Sequence, residues 1–259
     1  MAARVREPSV TRRPDDVPAI ELVDVHKSFG NFDVLRGITF SVPRGKTFVI
    51  MGGSGTGKSV TLKHIIGIVQ PDSGDVLVDG ESVPRMDRKG LMHLRKRMGY
   101  LFQDGALINW MTIFDNVALP LRENTRMSKS EIEDRTMEVC ELVDLAHSIQ
   151  KFPANISGGM KKRAGLARTL VTEPEVVLYD EPNAGLDPVM SDKINQLILE
   201  VQERFQVTSV VVTHKRACAY TTGDMIALIK DGVIVEQGTR DYMRASDHPL
   251  VRAFLGGID

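Results

Sequence analysis

The feature that most constrains this chain is the run Gly52-Gly53-Ser54-Gly55-Thr56-Gly57-Lys58-Ser59, which fits G-x-x-x-x-G-K-[ST] in full. Before it, Lys46 to Met51 is a short apolar run ending in glycines, the pattern of a buried strand. After it, Leu62, Ile65, Ile66 and Val69 recur at helical spacing and predict a helix from Lys58 to Val69. Glycines at such a turn let successive backbone N–H groups converge on one polyanion, which side chains there would obstruct. The helix that follows adds its positive end. In this setting Lys58 is expected to reach the β- and γ-phosphates of a nucleoside triphosphate, and the Ser59 hydroxyl to hold Mg2+.

The rest of the chain repeats the strand–helix alternation around an insert. Ile20 to Val25 alternates apolar and polar, and a further strand is expected through Val34 to Val42. Val176 to Tyr179 and Ser209 to Val212 read as buried strands separated by a helix from about Pro188 to Phe205. Between these blocks, Ser128 and Glu131 form a capping-box pattern ahead of Ile132, Val139, Leu142 and Val143, and another helix is expected from Ser157 to about Val171. The order predicts an α/β core with a parallel sheet, interrupted by a mostly helical subdomain at roughly 104–170. Residues 1–18 read as a disordered tail and 19–259 as one domain, with core segments 19–103 and 171–240 and a helical tail at 241–259.

Composition narrows the class further. A formal net charge of -1 gives no bias toward nucleic acid or an anionic membrane. No apolar run approaches the ~20 residues of a membrane span, and Met1 to Pro18 lacks the apolar segment of a secretory signal. Cys140 and Cys218 are read as reduced core thiols of a cytosolic protein.

Two strand ends carry further polar groups. Asp180 and Glu181 follow the strand Val176 to Tyr179. There, Asp180 would contribute to Mg2+ binding and Glu181 would act as general base toward the attacking water. Solvated loop acids are the structural alternative. His214 ends the strand Val210 to Thr213, where it is either structural or a γ-phosphate sensor.

Ser157-Gly158-Gly159-Met160-Lys161-Lys162-Arg163 is an anion site of a different kind, a serine hydroxyl and glycine N–H groups at a helix start. It resembles the signature of ABC ATPases. The resemblance covers about residues 20–240 and implies an ABC-type P-loop NTPase fold. That fold has a mainly parallel core sheet, an antiparallel β arm and an inserted α-helical subdomain. It also implies ATP and Mg2+, and a head-to-tail dimer in which Ser157, Gly158 and Gly159 of one copy cover the γ-phosphate held by the other. Phe29 or Phe32 would stack on adenine, Phe29 being preferred. Gln103 matches the loop that touches Mg2+, Asn183 to Asp187 the loop between subunits, and His214 the switch histidine. Met160 replaces the usual glutamine of the signature, Gly53 a common proline and Lys215 a common aspartate. None of these removes a group that bonds phosphate, metal or water.

The finer pattern includes Lys63-His64-Ile65-Ile66-Gly67, Gly105-Ala106-Leu107, Phe114 to Glu123 and Pro249 to Leu255. It is similar to the ATPases of MCE-type lipid transporters. That likeness implies two ATPase copies on the cytoplasmic face of the bacterial inner membrane, bound to an MlaE-like permease. MlaD-like MCE proteins and, in some species, an MlaB-like STAS-domain subunit would complete the assembly. Two rivals share the catalytic motifs: the ATPase of a small-solute importer, and a soluble ABC ATPase of the iron–sulfur-assembly type. Phe102, Leu107, Ile108, Trp110 and Met111 form an apolar stretch beside Gln103, where burial suits Phe102 and Trp110 is open between core and interface. The C-terminal helix is expected to pack on its own domain rather than on a second copy.

Overall fold

A computed structural model describes residues 17–256; the expected disordered tail falls mainly on residues 1–16, outside the described residues. The N-terminal part runs β1 (Ile20–Phe29), β2 (Phe32–Val42), β3 (Thr47–Met51), α1 (Lys58–Ile65), β4 (Ser73–Val78), β5 (Glu81–Ser82), α2 (Arg88–Lys96) and β6 (Met98–Leu101). Three helices follow: α3 (Ile113–Asn124), α4 (Lys129–Leu142) and α5 (Gly158–Leu170). The chain then returns through β7 (Val176–Asp180), α6 (Pro188–Phe205), β8 (Thr208–Thr213), α7 (Arg216–Thr222), β9 (Met225–Lys230) and β10 (Val233–Thr239), and ends in α8 (Arg240–Ala245) and α9 (Pro249–Leu255).

These strands make two sheets, one of four strands in the order β2-β1-β4-β5 and one of six in the order β10-β9-β3-β8-β7-β6. The first is antiparallel throughout. In the second, β9, β3, β8, β7 and β6 run parallel and β10 closes one edge antiparallel. Every residue of β3, β7 and β8 is buried, because the period of two sends alternate side chains to two different cores. Phe48, Ile50, Leu178, Val210 and Val212 face α1 and the antiparallel sheet, where the Phe40 and Phe48 rings stack with centroids 4.6 Å apart. Val49, Met51, Val177, Tyr179 and Val211 face the other way, onto Ile194, Ile198 and Val201 of α6 and on to Val139, Cys140 and Leu166 of the helical insert. Both cysteines are buried, and burial raises their thiol pKa values to about 11 for Cys140 and about 12 for Cys218. They are inert thiols.

Local expectations meet the structure unevenly. The capping box at α4 forms, with Ser128 and Glu131 each bonding the other's backbone N–H, and α6 spans Pro188–Phe205. Helix α1 stops at Ile65 rather than Val69. Gly67 turns the chain at φ +68, where its Cα lies so near Leu91 that a Cβ would stand 2.6 Å from it. Strand β6 ends at Leu101, and Phe102, expected to be buried, is exposed, its ring tilted 32° against that of Tyr100 with centroids 4.3 Å apart. Trp110 is 81% exposed. Helix α9 packs on its own domain: Val251 and Leu255 are buried, and Tyr220 donates to the Leu255 carbonyl.

Candidate functional site

The parallel strands β3, β8, β7 and β6 are neighbours, so the segments that leave their C-terminal ends are neighbours too. That single fact brings together residues separated by more than 150 positions. The 52–59 loop leaves β3, His214 leaves β8, Asp180 and Glu181 end β7, and Gln103 follows β6. Phe29, Val34, Ser54, Gly55, Gly57, Lys58, Ser59, Gln103 and Glu181 line one cleft of about 310 Å³. Of the two candidate aromatics, Phe29 stands at its wall, half-exposed with the Lys27 ammonium 5.4 Å from its ring centroid, and Phe32 does not line it.

The loop itself depends on glycine at two points. A Cβ on Gly52 would sit 2.4 Å from the Ile229 carbonyl oxygen, and Gly57 enters α1 at φ +94 with Leu35 against its face. Thr56 ties the turn by donating to the Gly53 carbonyl. Lys58 lies across the loop, donating to the carbonyls of Gly52 and Gly53, with Nζ 3.5 Å from Glu181 Oε1. Ser59 donates to Asp180 Oδ1 at 2.7 Å, and Tyr100 donates to the other carboxylate oxygen at 3.0 Å. Burial, reinforced by the Asp180 charge, pushes the Tyr100 phenol far above its ordinary pKa, so it stays a donor.

Glu181 is 8% exposed and has φ +48, a left-handed conformation that costs a residue with a side chain about 1–3 kcal/mol unless its surroundings impose it. Its N–H donates to the Val212 carbonyl, which continues the β8 pairing one step past the strand. Its carboxylate accepts from His214 Nδ1 at 2.8 Å. The pair is the geometry of an acceptor oriented by a histidine.

Ser157, Gly158, Gly159 and Asp187 lie elsewhere. Ser157 caps α5 by accepting from the Met160 N–H, and Asp187 caps α6 by accepting from the Met190 N–H. A separate hollow of about 530 Å³ is bounded by Gly158, Lys161 and Lys162 on one side and Ala184, Gly185 and Leu186 on the other. The two signature glycines differ. A Cβ on Gly159 would meet the terminal methyl of Met190 at 2.7 Å, so a side chain there needs that flexible methionine to move aside. A Cβ on Gly158 would meet no atom within 4 Å among the described residues, and Gly158 has an ordinary helical φ.

The family model described as ABC transporter matches residues 35–184. The chain belongs to this family. It is 44% identical over 239 residues to the probable ribonucleotide transport ATP-binding protein mkl of Mycobacterium leprae, covering 92% of this chain and 69% of that one. It is 40% identical over 239 residues to the intermembrane phospholipid transport system ATP-binding protein MlaF of Escherichia coli K12, covering 92% of this chain and 89% of MlaF. The dimeric post-hydrolysis structure of the ATP-binding cassette MJ0796 bound to ADP and Pi superposes with a TM-score of 0.79 at 31% identity, over 85% of this chain and 98% of that one. The protein is thus an ABC transporter ATP-binding subunit, an ATPase coupled to transport.

Within this ABC cassette, three contributors escaped the sequence reading. Tyr100 reaches Asp180 from the neighbouring strand, and its alternation within Gly99-Tyr100-Leu101 was the available hint. Lys162 donates to the carbonyls of Gln103 and Glu181. Lys215, the residue in place of a common aspartate, donates to the Leu186 carbonyl and to Ser191 Oγ, anchoring the Asn183–Asp187 loop to α6. A divalent cation fits the donor set. Ser59 Oγ and Asp180 are hard oxygen donors side by side. No cluster of three His, Cys, Asp or Glu that could enclose a metal exists among the described residues. That balance suits Mg2+, which takes one or two protein oxygens and completes its shell with phosphate and water.

Proposed function

We propose that two copies of this chain bind two ATP molecules head to tail and drive phospholipid transport through an MlaE-like permease carrying MlaD-like MCE proteins, with an MlaB-like STAS-domain subunit as an optional component. The observation that carries the dimer is Gly158: neither its conformation nor its packing requires glycine, so the missing Cβ is accounted for by something that approaches from outside the chain. A triphosphate held in a second copy is the polyanion suited to a helix start with a free serine–glycine face.

The chain's own residues then divide the work. The 52–57 backbone and Lys58 bind the β- and γ-phosphates, and Phe29 stacks on adenine. Ser59, Asp180 and Gln103 would hold Mg2+, which when bound neutralises charge across the β- and γ-phosphates. Glu181 accepts a proton from water, His214 keeps its carboxylate aimed, and Ser157 to Gly159 of the other copy close the site over the γ-phosphate. Asp187 caps α6 beside the hollow that faces the other copy.

The lipid assignment rests on the similarity to MlaF along nearly the whole of both chains. A groove of about 450 Å³ between β6 and α3, lined by Phe102, Ile108 and Pro120 together with Arg95, Lys96 and Arg168, with Trp110 exposed in the same loop, suits docking of a permease segment. No helix among the described residues is long and apolar enough to cross a membrane. From the similarity to MlaF we place the subunit peripherally on the cytoplasmic face of the bacterial inner membrane. A small-solute transporter is the second reading, favoured by the similarity to mkl, whose name gives ribonucleotide transport.

Mixing tests the dimer. Lys58→Ala loses the cradle and Gly158→Arg blocks the opposing tip, yet a mixed pair keeps one complete site. Mixing equal amounts is expected to restore at most about a quarter of the wild-type rate, since half the pairs are mixed and each holds one complete site of two. No recovery above the separate variants overturns the sandwich. For the cargo, the ATPase in complex with its permease should be stimulated by phospholipid; stimulation by ribonucleotides instead would favour the second reading.

A further inference from the structure

Lys162 is 5% exposed and lies on α5, five residues beyond Ser157. Its ammonium donates to two main-chain carbonyls in different segments of the site. One belongs to Gln103, after β6, and the other to Glu181, 3.2 Å away at the end of β7. A cation in this position is expensive: burial pushes its pKa down, and Lys215 adds to that, while Asp104, Glu181 and Asp180 work in the opposite direction. A methionine of similar length would fill the same space without the desolvation. Shape alone therefore does not explain a lysine.

The left-handed conformation of Glu181 does. Such a backbone persists in a residue with a side chain only where its neighbours hold it. From the sheet, Val212 accepts the Glu181 N–H and His214 donates to the carboxylate. The Glu181 carbonyl, in turn, is held by Lys162 from the helical insert. Arg168, one and a half turns further along α5, donates to the carbonyls of Gly105 and Ala106 and so grips the same loop without reaching Glu181.

We propose that Lys162 is a positioning residue for hydrolysis, pinning the main chain of Glu181 to the helix whose tip is Ser157. The proposal rests on the reading of Glu181 as the base and of Ser157 as the cap on another copy's nucleotide. It adds a direction of influence: closure of Ser157 on the other copy's triphosphate acts back, through one helix, on the carboxylate that activates water in the same chain. The two sites of a pair would then be linked through Lys162.

Steady-state ATPase, ATP binding and thermal melting of the full chain test this in Lys162→Met, Lys162→Arg, Glu181→Gln and the Lys162→Met/Glu181→Gln double variant. Lys162→Met is expected to lower kcat about 10- to 100-fold, the scale of a small misplacement of a reacting group. ATP affinity should stay within about threefold of the unmodified chain, because the phosphate contacts are untouched. Lys162→Arg should restore most of kcat, since a guanidinium supplies several donors in one plane. In the Glu181→Gln background Lys162→Met should cost nothing more, as a residue acting through a carboxylate has no effect once that carboxylate is gone. An unchanged kcat in Lys162→Met overturns the proposal, as does equal loss of kcat and affinity, failure of arginine to restore, a further drop in the double variant, or loss of folding in both single lysine variants. If Glu181→Gln alone hydrolyses ATP at the full rate, the base assignment falls first and takes this proposal with it.

Discussion

The two candidate anion sites of this chain are built on opposite plans. At the cradle, the charged and hydroxyl groups are already engaged by their own chain: Lys58 with the loop carbonyls and Glu181, Ser59 with Asp180, Asp180 with Tyr100, Glu181 with His214. At the α5 tip, the Ser157 hydroxyl meets its own helix start, and Gly158 presents a bare face to open space. One site is preorganised by four strands that share a sheet; the other is a shape without a counterpart in the same molecule. On the proposed reading, a chain divided in this way would hold substrate alone and complete its chemistry with a second copy.

Variants on each side of that division should behave differently. The largest effect belongs to Glu181→Gln, which should lower ATP hydrolysis by roughly 10²- to 10⁴-fold, the scale of a lost general base. Its ATP binding should persist, and pairs closed on unhydrolysed ATP should accumulate in size-exclusion chromatography; rapid turnover in this variant would remove the chemistry from the cradle. Gly158→Arg should lower hydrolysis by about 100-fold while leaving single-copy ATP binding and the melting temperature unchanged, because a Cβ at this position meets no atom within 4 Å among the described residues. A parallel fall in nucleotide affinity would show that the tip serves its own cradle, and the contrast would collapse. Chelation of divalent cations should stop hydrolysis in the unmodified chain and leave its fold intact, as read by circular dichroism. The smallest effect is expected for Ser128→Ala, which removes the α4 cap at a cost of about 1 kcal/mol. Melting should fall by about 2–4 °C with ATPase unchanged, which would sharpen the contrast by showing that stability of the insert and activity of its tip are separable.

What was legible in the sequence follows the same division between local and distant causes. The loop 52–59 could be read because one contiguous segment contains the turn, the lysine and the hydroxyl, and the strand and helix around it have their own periods. The α4 and α6 starts were equally plain, since a cap joins residues three apart. Tyr100 and Lys162 were not, because their partners lie about 80 and 59 positions away along the chain and are brought close only by the strand order. Phe102 was misjudged for a related reason. An aromatic at the end of an apolar strand looks like core until the strand is seen to stop one residue earlier, leaving the ring exposed and tilted against Tyr100. The reach of α1 failed at Gly67, where a left-handed turn outweighed the apolar spacing of Val69.

The segment after Gln103 lies directly on α5, with Gly105 and Gly165 face to face. A Cβ on Gly165 would stand 2.9 Å from the Gly105 Cα, and a Cβ on Gly105 would stand 2.8 Å from the Lys161 carbonyl oxygen. Where main chain rests on main chain there is no rotamer to yield and no soft padding to absorb a displacement. A displacement of either main chain would therefore be passed to the other as translation instead of being absorbed by side-chain rearrangement. Two hydrogen atoms, one on each glycine, set the stiffness of that joint, and a single methyl group at either position would loosen it.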